Sequence, residues 1–137
     1  MRNRGSAVII ESNKVALIKR VVTDSVYYVF PGGGMEDGET PEETTIRESF
    51  EELGILIKIK SLLDTVDYNG MQYFYHADIV EGVFGTGQGE EFQQSARAKG
   101  TYEPIWVDIK TLDTIDVKPR KVALKIHDYA SRQIIGS

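Results

Sequence analysis

The chain contains no cysteine in its 137 residues. Disulfides, thiolate metal sites and a cysteine nucleophile are therefore excluded. Long apolar runs are missing too. The opening Met-Arg-Asn-Arg-Gly-Ser leads into only four apolar residues, Ala7 to Ile10, too few for a signal-peptide core or a membrane span. A cytoplasmic protein with no membrane partner is the expectation. There is no basic patch of the kind that duplex nucleic acid requires, so no duplex partner is expected. Linkers, internal repeats and low-complexity tracts are also absent, and the length suits one domain, residues 1–137, around one core.

What is present is an ordinary globular balance, 41% hydrophobic and 27% charged residues, with its charge unevenly placed. The net charge is −5. Between Glu36 and Glu52 lie eight of the 21 acidic residues and one of the 16 basic ones, Arg47, which leaves 13 acids against 15 bases elsewhere. The acidity belongs to one segment. Such a cluster is ordinarily a solvated helix face. Dense carboxylates also suit a hard cation, because Mg²⁺ and Mn²⁺ prefer oxygen ligands.

The pattern along the chain is mostly strands. Ala7 to Glu11 and Lys14 to Arg20 read as a hairpin turning at Ser12-Asn13, followed by a short run from Val26 to Phe30. Pro31-Gly32-Gly33-Gly34 then breaks the chain. A helix follows from Pro41 to Leu53. Thr40 is its N-cap, Glu43 completes a capping box, Pro41 fills the first position and Gly54 stops it. Leu56 to Val66 and Gln72 to Val80 read as strands about a turn at Asn69-Gly70. Gly82 to Ser95 reads as a glycine-rich loop and Glu103 to Asp108 as a further strand. Lys118 to Arg132 shows helical spacing, with Val122, Leu124, Ile126 and Tyr129 available for a buried face. Trp106 is expected to pack over this last helix. Strands with a helix mid-chain and another at the end suit a sheet covered by helices.

Projected at about 100° per residue, Glu48, Glu51 and Glu52 share one face of the Pro41–Leu53 helix. Ile46, Phe50 and Leu53 share the opposite face. The apolar face should pack on the sheet and leave the three carboxylates aimed outward. Like charges at these spacings repel, and a divalent cation would turn that repulsion into ligation. The preceding glycines allow the backbone to approach a ligand closely and offer a free carbonyl as a further oxygen ligand. Arg47, beside the carboxylates, can hold one of them through a bidentate pair.

This spacing resembles the Nudix box. The family pattern is Gly, five residues, Glu, seven residues, then Arg-Glu-hydrophobe-any-Glu-Glu-any-Gly-hydrophobe. Gly33 is followed here by Glu39, and Glu39 by Arg47-Glu48-Ser49-Phe50-Glu51-Glu52-Leu53-Gly54-Ile55. Every polar and glycine position matches over residues 33–55. Ser49 departs, standing where an aliphatic residue or alanine is usual, so a local packing change is expected there. The resemblance implies the Nudix fold, an α/β/α sandwich with a mixed β-sheet between helices. It implies Mg²⁺, with Mn²⁺ as a substitute, ligated by Glu48, Glu51 and Glu52 with the carbonyl of Gly32. It further implies that Arg47 orients Glu48, that Glu39 supports the loop–helix geometry, and that Gly33 and Gly34 lie against substrate. The activity implied is attack of water on a pyrophosphate bond in a nucleoside diphosphate linked to another group. A homodimer is common among relatives.

Family members often draw a general base from a later loop. Glu90 and Glu91, in Gly85-Thr-Gly-Gln-Gly-Glu-Glu, are the candidates, with Glu48 or a metal-bound water as alternatives. Tyr27, Tyr28, Tyr73, Tyr75 and Phe84 could stack on a nucleobase, with Tyr28 and Tyr73 singled out, though such aromatics more often fill a core. Tyr73 lies where a tyrosine marks some dinucleoside polyphosphate hydrolases of the family. The alternative to an enzyme is a Nudix-fold nucleotide-binding or regulatory module without turnover. Such modules usually lose a box glutamate, and none is lost here. An isoprenoid diphosphate isomerase shares the fold but would need a catalytic cysteine.

Overall fold

The computed structural model describes residues 2–87 and 100–136. In chain order the strands are β1 (Arg4–Glu11), β2 (Lys14–Val22), β3 (Ser25–Val29) and β4 (Gly32–Gly34). Helix α1 (Pro41–Leu53) is followed by β5 (Ile55–Asp67), β6 (Met71–Gly82) and β7 (Thr101–Asp108). A 3-10 turn (Ile109–Thr111), β8 (Val117–Lys118) and helix α2 (Arg120–Gly136) complete the order. Among these residues no helix is long and apolar enough to cross a membrane.

The hairpin turns form where their residues tolerate the left-handed region. Ser12 and Asn13 have φ of 52° and 64°, and Asn69 and Gly70 have φ of 54° and 108°, the pairing that two-residue hairpins favour. The strands make one mixed sheet in the order β5-β6-β1-β2-β3-β8, with β4 added on β1 and β7 on β2. β1 runs parallel to β6, and β3 parallel to β8.

Alternation along the strands divides the interior in two. Val8, Val15, Leu17 and Phe74 face one side, where α2 covers them with Val122, Ala123 and Ile126. Ala7, Ile9, Ala16, Ile18 and Ala77 face the other, under Leu53 of α1. The result is the expected α/β/α sandwich. Phe74 meets Phe30 edge-on, with centroids 5.6 Å apart at 75°, a geometry worth about 1 kcal/mol beyond area burial.

Three packing expectations need correction. On α2, Leu124 and Tyr129 are exposed, and the buried stripe runs through Val122, Ala123 and Ile126. Trp106 lies in the other core, against Phe84 and the α1 side. Its strand parity decides this, because it pairs with Ala16, which faces α1. On α1, Phe50 is 63% exposed, while Thr44, Thr45 and Ser49 are fully buried. The helix packs through these small residues together with Leu53 and Ile46, and not through Phe50. That brings its axis closer to β1 and rotates Phe50 out to solvent.

The splayed sheet creates the cleft that follows. β1 pairs with β2 only at Ile10↔Val15 and Glu11↔Lys14. At the other end of β1, residues Arg4 to Ser6 pair with Gly34 to Gly32 of β4 instead. β2 departs with β3 and β7, and a gap opens between the two groups of strands.

Candidate active site

Helix α1 begins as its sequence dictates. Thr40 Oγ1 accepts from the Glu43 N–H at 3.1 Å, and the Thr40 N–H donates to Glu43 Oε1 at 2.9 Å. Gly54 ends the helix at φ 74°, a conformation that costs glycine little. These caps fix the phase of the helix, and with it the direction of every glutamate.

Rotating the small residues inward changes where the carboxylates point. Glu48 and Glu52 are not aimed at solvent. They are 8% and 5% exposed and face the cleft beside the β4 glycines. Glu52 Oε1 accepts the Gly32 N–H at 2.7 Å. The carboxyl of Glu48 lies against Gly33, where any Cβ would collide with it. The three glycines are therefore not a turn. They form an extended strand whose missing side chains admit β1 on one side and Glu48 on the other.

Arg47 organises the rest. Its Nη1 donates to Glu48 Oε2 at 2.9 Å and to Glu51 Oε1 at 2.8 Å. Its Nε and Nη2 donate to the two oxygens of Glu39 at 2.7 and 3.0 Å, and Nη2 reaches the Gly34 carbonyl at 3.1 Å. Glu39 also accepts from the Glu36 N–H and the Thr44 hydroxyl. It thereby ties the loop before α1 to the helix. The hydrogen bond to Arg47, then that from Glu36, lower the Glu39 carboxyl from its ordinary 4.5 to about 2. Arg47 is pushed upward in turn, first by Glu39.

The cleft holds about 460 Å³ and is lined by charges of both signs. Glu36, Glu48 and Glu52 line it, and so do Arg2, Arg4, Arg20 and Arg47, with Tyr27 and Tyr102. Arg20 lies 3.8 Å over the Tyr102 ring and donates to the Thr101 carbonyl at 3.1 Å. A second, mostly apolar cavity of about 520 Å³ adjoins it, lined by Phe30, Phe74, Val66, Tyr68, Gln72 and Lys118 among others. Val29, Phe30 and Arg4 border both.

The expected site residues are thus only partly gathered. Gly32, Gly33, Gly34, Arg47, Glu48 and Glu52 line one cleft. Glu51 lies to the side, tied to Arg47. Tyr28 is not in the cleft but packs on the α2-side core. Its neighbour Tyr27, one residue out of phase, takes that place. Tyr73 stacks on Tyr75, with centroids 6.4 Å apart, on the strand face opposite Phe74. The Tyr75 hydroxyl meets Glu42 at 3.3 Å, and burial followed by that carboxylate raises its phenol to about 12. Glu90 and Glu91 lie outside the described residues. Sequence reasoning missed Arg2, Arg4 and Arg20. Arg2 just before β1, Arg4 at its start and Arg20 on β2 carry no local signal, and only the splay of β1 from β2 unites them.

The donor set fits a hard divalent cation. Three carboxylates project from one helix, two of them beside a glycine strand whose missing side chains let the Glu48 carboxyl lie against its backbone. Among the described residues no three carboxylates or histidines already converge as ligands. Protein donors hold each carboxylate instead, Arg47 on Glu48 and Glu51 and the Gly32 N–H on Glu52.

The NUDIX domain model matches residues 1–126. The chain belongs to the NUDIX family. It is 49% identical over 43 residues, 31% of its length, to an 8-oxo-dGTP diphosphatase of Proteus vulgaris. It is 46% identical over 57 residues, 41% of its length, to an ADP-ribose pyrophosphatase of Methanocaldococcus jannaschii. These matches span 38% and 34% of those two proteins. A NUDIX hydrolase structure from Nitrosomonas europaea superposes with a TM-score of 0.71 at 19% identity, over 95% of this chain and 88% of that one. This last likeness establishes the NUDIX fold.

Proposed function

We propose that this NUDIX chain hydrolyses a pyrophosphate bond in a nucleoside diphosphate linked to a second group, using Mg²⁺ or Mn²⁺. The observation that carries the reading is a cleft lined by both carboxylates and arginines, with an apolar cavity adjoining it. A diphosphate needs cations around it. The arginines supply some, and a metal on the glutamates would supply the rest. The matched relatives are named for 8-oxo-dGTP and ADP-ribose, two compounds that share a nucleoside carrying a diphosphate.

Glu48, Glu51 and Glu52, with the Gly32 carbonyl, are the residues that would hold the metal. When bound it neutralises phosphate charge and makes water a stronger nucleophile. Arg47 keeps Glu48 in one rotamer, and Glu39 keeps Arg47 in place. The missing side chains of Gly33 and Gly34 let Glu48 and Arg2 lie directly on β4, where they would meet the diphosphate. The nucleoside end takes the apolar cavity beside Phe30 and Phe74. Glu90 and Glu91 are the proposed source of the general base, with Glu48 as the alternative.

The test is a Mg²⁺-dependent hydrolysis panel of nucleoside triphosphates, their oxidised forms, dinucleoside polyphosphates, ADP-ribose, nucleotide sugars and capped RNA. Glu52→Gln serves as control, since an amide oxygen can still accept the Gly32 N–H while the charge is gone. Turnover of one class, cut by about a hundredfold or more in Glu52→Gln, is expected. No turnover of any class with Mg²⁺ bound would favour a binding module. Glu90→Gln combined with Glu91→Gln should lower kcat; an unchanged kcat excludes this loop as the source of the base and leaves Glu48 or a metal-bound water.

A further inference from the structure

The charged cleft and the apolar cavity meet at one basic side chain. Arg4 lines both. Its backbone is held from two sides, opposite Gly34 of β4 and beside Gln72 of β6, so its position is set by the sheet rather than by a loop. Four arginines line the cleft, and three are committed to protein groups. Arg2 Nε donates to the Met35 carbonyl at 2.9 Å, Arg20 lies on Tyr102, and Arg47 holds the glutamates. The Arg4 guanidinium has no side-chain hydrogen bond or ion pair among the described residues. Lys118, the other cation of the apolar cavity, sits 4.7 Å from the centre of the Tyr27 ring.

We infer that Arg4 binds the phosphate that joins the nucleoside to the rest of the substrate. The inference rests on the nucleotide reading proposed above. If the nucleoside fills the apolar cavity and the pyrophosphate faces the glutamates, the phosphate ester on the sugar lies between them, at Arg4. A guanidinium offers a planar fork that matches two phosphate oxygens, which a lysine cannot reproduce. An arginine with no internal partner gives up nothing but water to make that contact. The contact is made to substrate and to the nucleoside monophosphate alike. Arg4 is thus a binding residue whose loss appears in KM more than in kcat.

The experiment compares AMP, GMP, CMP and UMP with their matching nucleosides by NMR titration in EDTA, so that binding is read without metal and without turnover. For the base that binds best, the wild-type protein should hold the monophosphate about tenfold or more tighter than the nucleoside. Arg4→Gln should erase most of that gap, leave nucleoside affinity unchanged, and keep the thermal midpoint, because Arg4 is exposed. Arg4→Lys should restore part of it. A gap that survives Arg4→Gln overturns the assignment while leaving the nucleotide reading intact. If neither nucleoside nor monophosphate binds, and the hydrolysis panel is blank as well, the nucleotide reading fails and takes this inference with it.

Discussion

Arg47 grips Glu39 with two nitrogens, Nε on one carboxylate oxygen and Nη2 on the other. The pair spans eight residues and locks the loop before α1 onto the helix that carries the candidate ligands. Its pH signature follows from the Glu39 carboxyl, lowered from 4.5 to about 2 chiefly by that contact. A carboxyl depressed in the folded state stabilises the protein above its unfolded value, and the contribution is lost as pH falls through the folded one. Glu39→Gln should therefore destabilise the fold most near neutral pH. The difference from wild type should shrink between about pH 4.5 and about pH 2. Urea midpoints at pH 6 and pH 3 measure this. An equal difference at both would show that Glu39 acts by shape and not by charge.

The glycines of β4 predict two different failures one residue apart. At Gly32 a Cβ would meet backbone, the Gly5 carbonyl and Ser6 Cα, which cannot move without breaking the β1–β4 pairing. At Gly33 the three nearest atoms all belong to the Glu48 carboxyl, with Oε1 at 2.7 Å, the movable end of a flexible side chain. Gly32→Ala should cost stability, by about 1–3 kcal/mol on the scale of core overpacking. Gly33→Ala should keep its melting temperature within a few degrees yet lose most Mg²⁺-dependent turnover, because Glu48 is displaced. Thermal scans and kcat on the two variants decide it. A stable, fully active Gly33→Ala would remove Glu48 from the proposed metal site.

Much of this was legible from local signals. The capping box at Thr40 and Glu43, the Gly54 stop and both hairpin turns are read within four or five residues, and each holds in the fold. The box spacing from Gly33 to Ile55 pointed to the family that the NUDIX match establishes. Apolarity alone was right for Leu53, Val122 and Ile126 and wrong for their neighbours on the same projections. Phe50, Leu124 and Tyr129 look like core residues on a helical projection, but the neighbouring sheet accepts the smaller Ser49, Thr45 and Ala123 instead. The choice between two adjacent faces is a matter of interaxial distance, which no single helix encodes. Tyr28 and Tyr27 differ by one strand position, and only the pairing register tells which looks into the cleft. Arg2, Arg4 and Arg20 needed the whole topology.

Ser49 gives a further test, because the departure from the box pattern coincides with an unmet hydrogen bond. It is fully buried on the inner face of α1, and its Oγ has no partner among the described residues. A buried hydroxyl without a partner costs about 1–3 kcal/mol in lost hydration. The space around it is already shaped for a small side chain, since Thr44, Thr45 and Leu53 are buried on the same helix. Ser49→Ala removes one oxygen, restores a residue usual at this position, and has the higher helix propensity. It should raise stability by about 1 kcal/mol, a few degrees in Tm for a chain of this size. Metal-dependent turnover should be unchanged, because Ser49 faces the sheet while Glu48 and Glu52 face the cleft. Ser49→Val tests the same space from the other side. It fills the position with an aliphatic residue, and added bulk between α1 and β1 should offset the gain. If Ser49→Ala instead loses stability, the hydroxyl has a partner such as a bound water, and the close packing of α1 depends on serine itself.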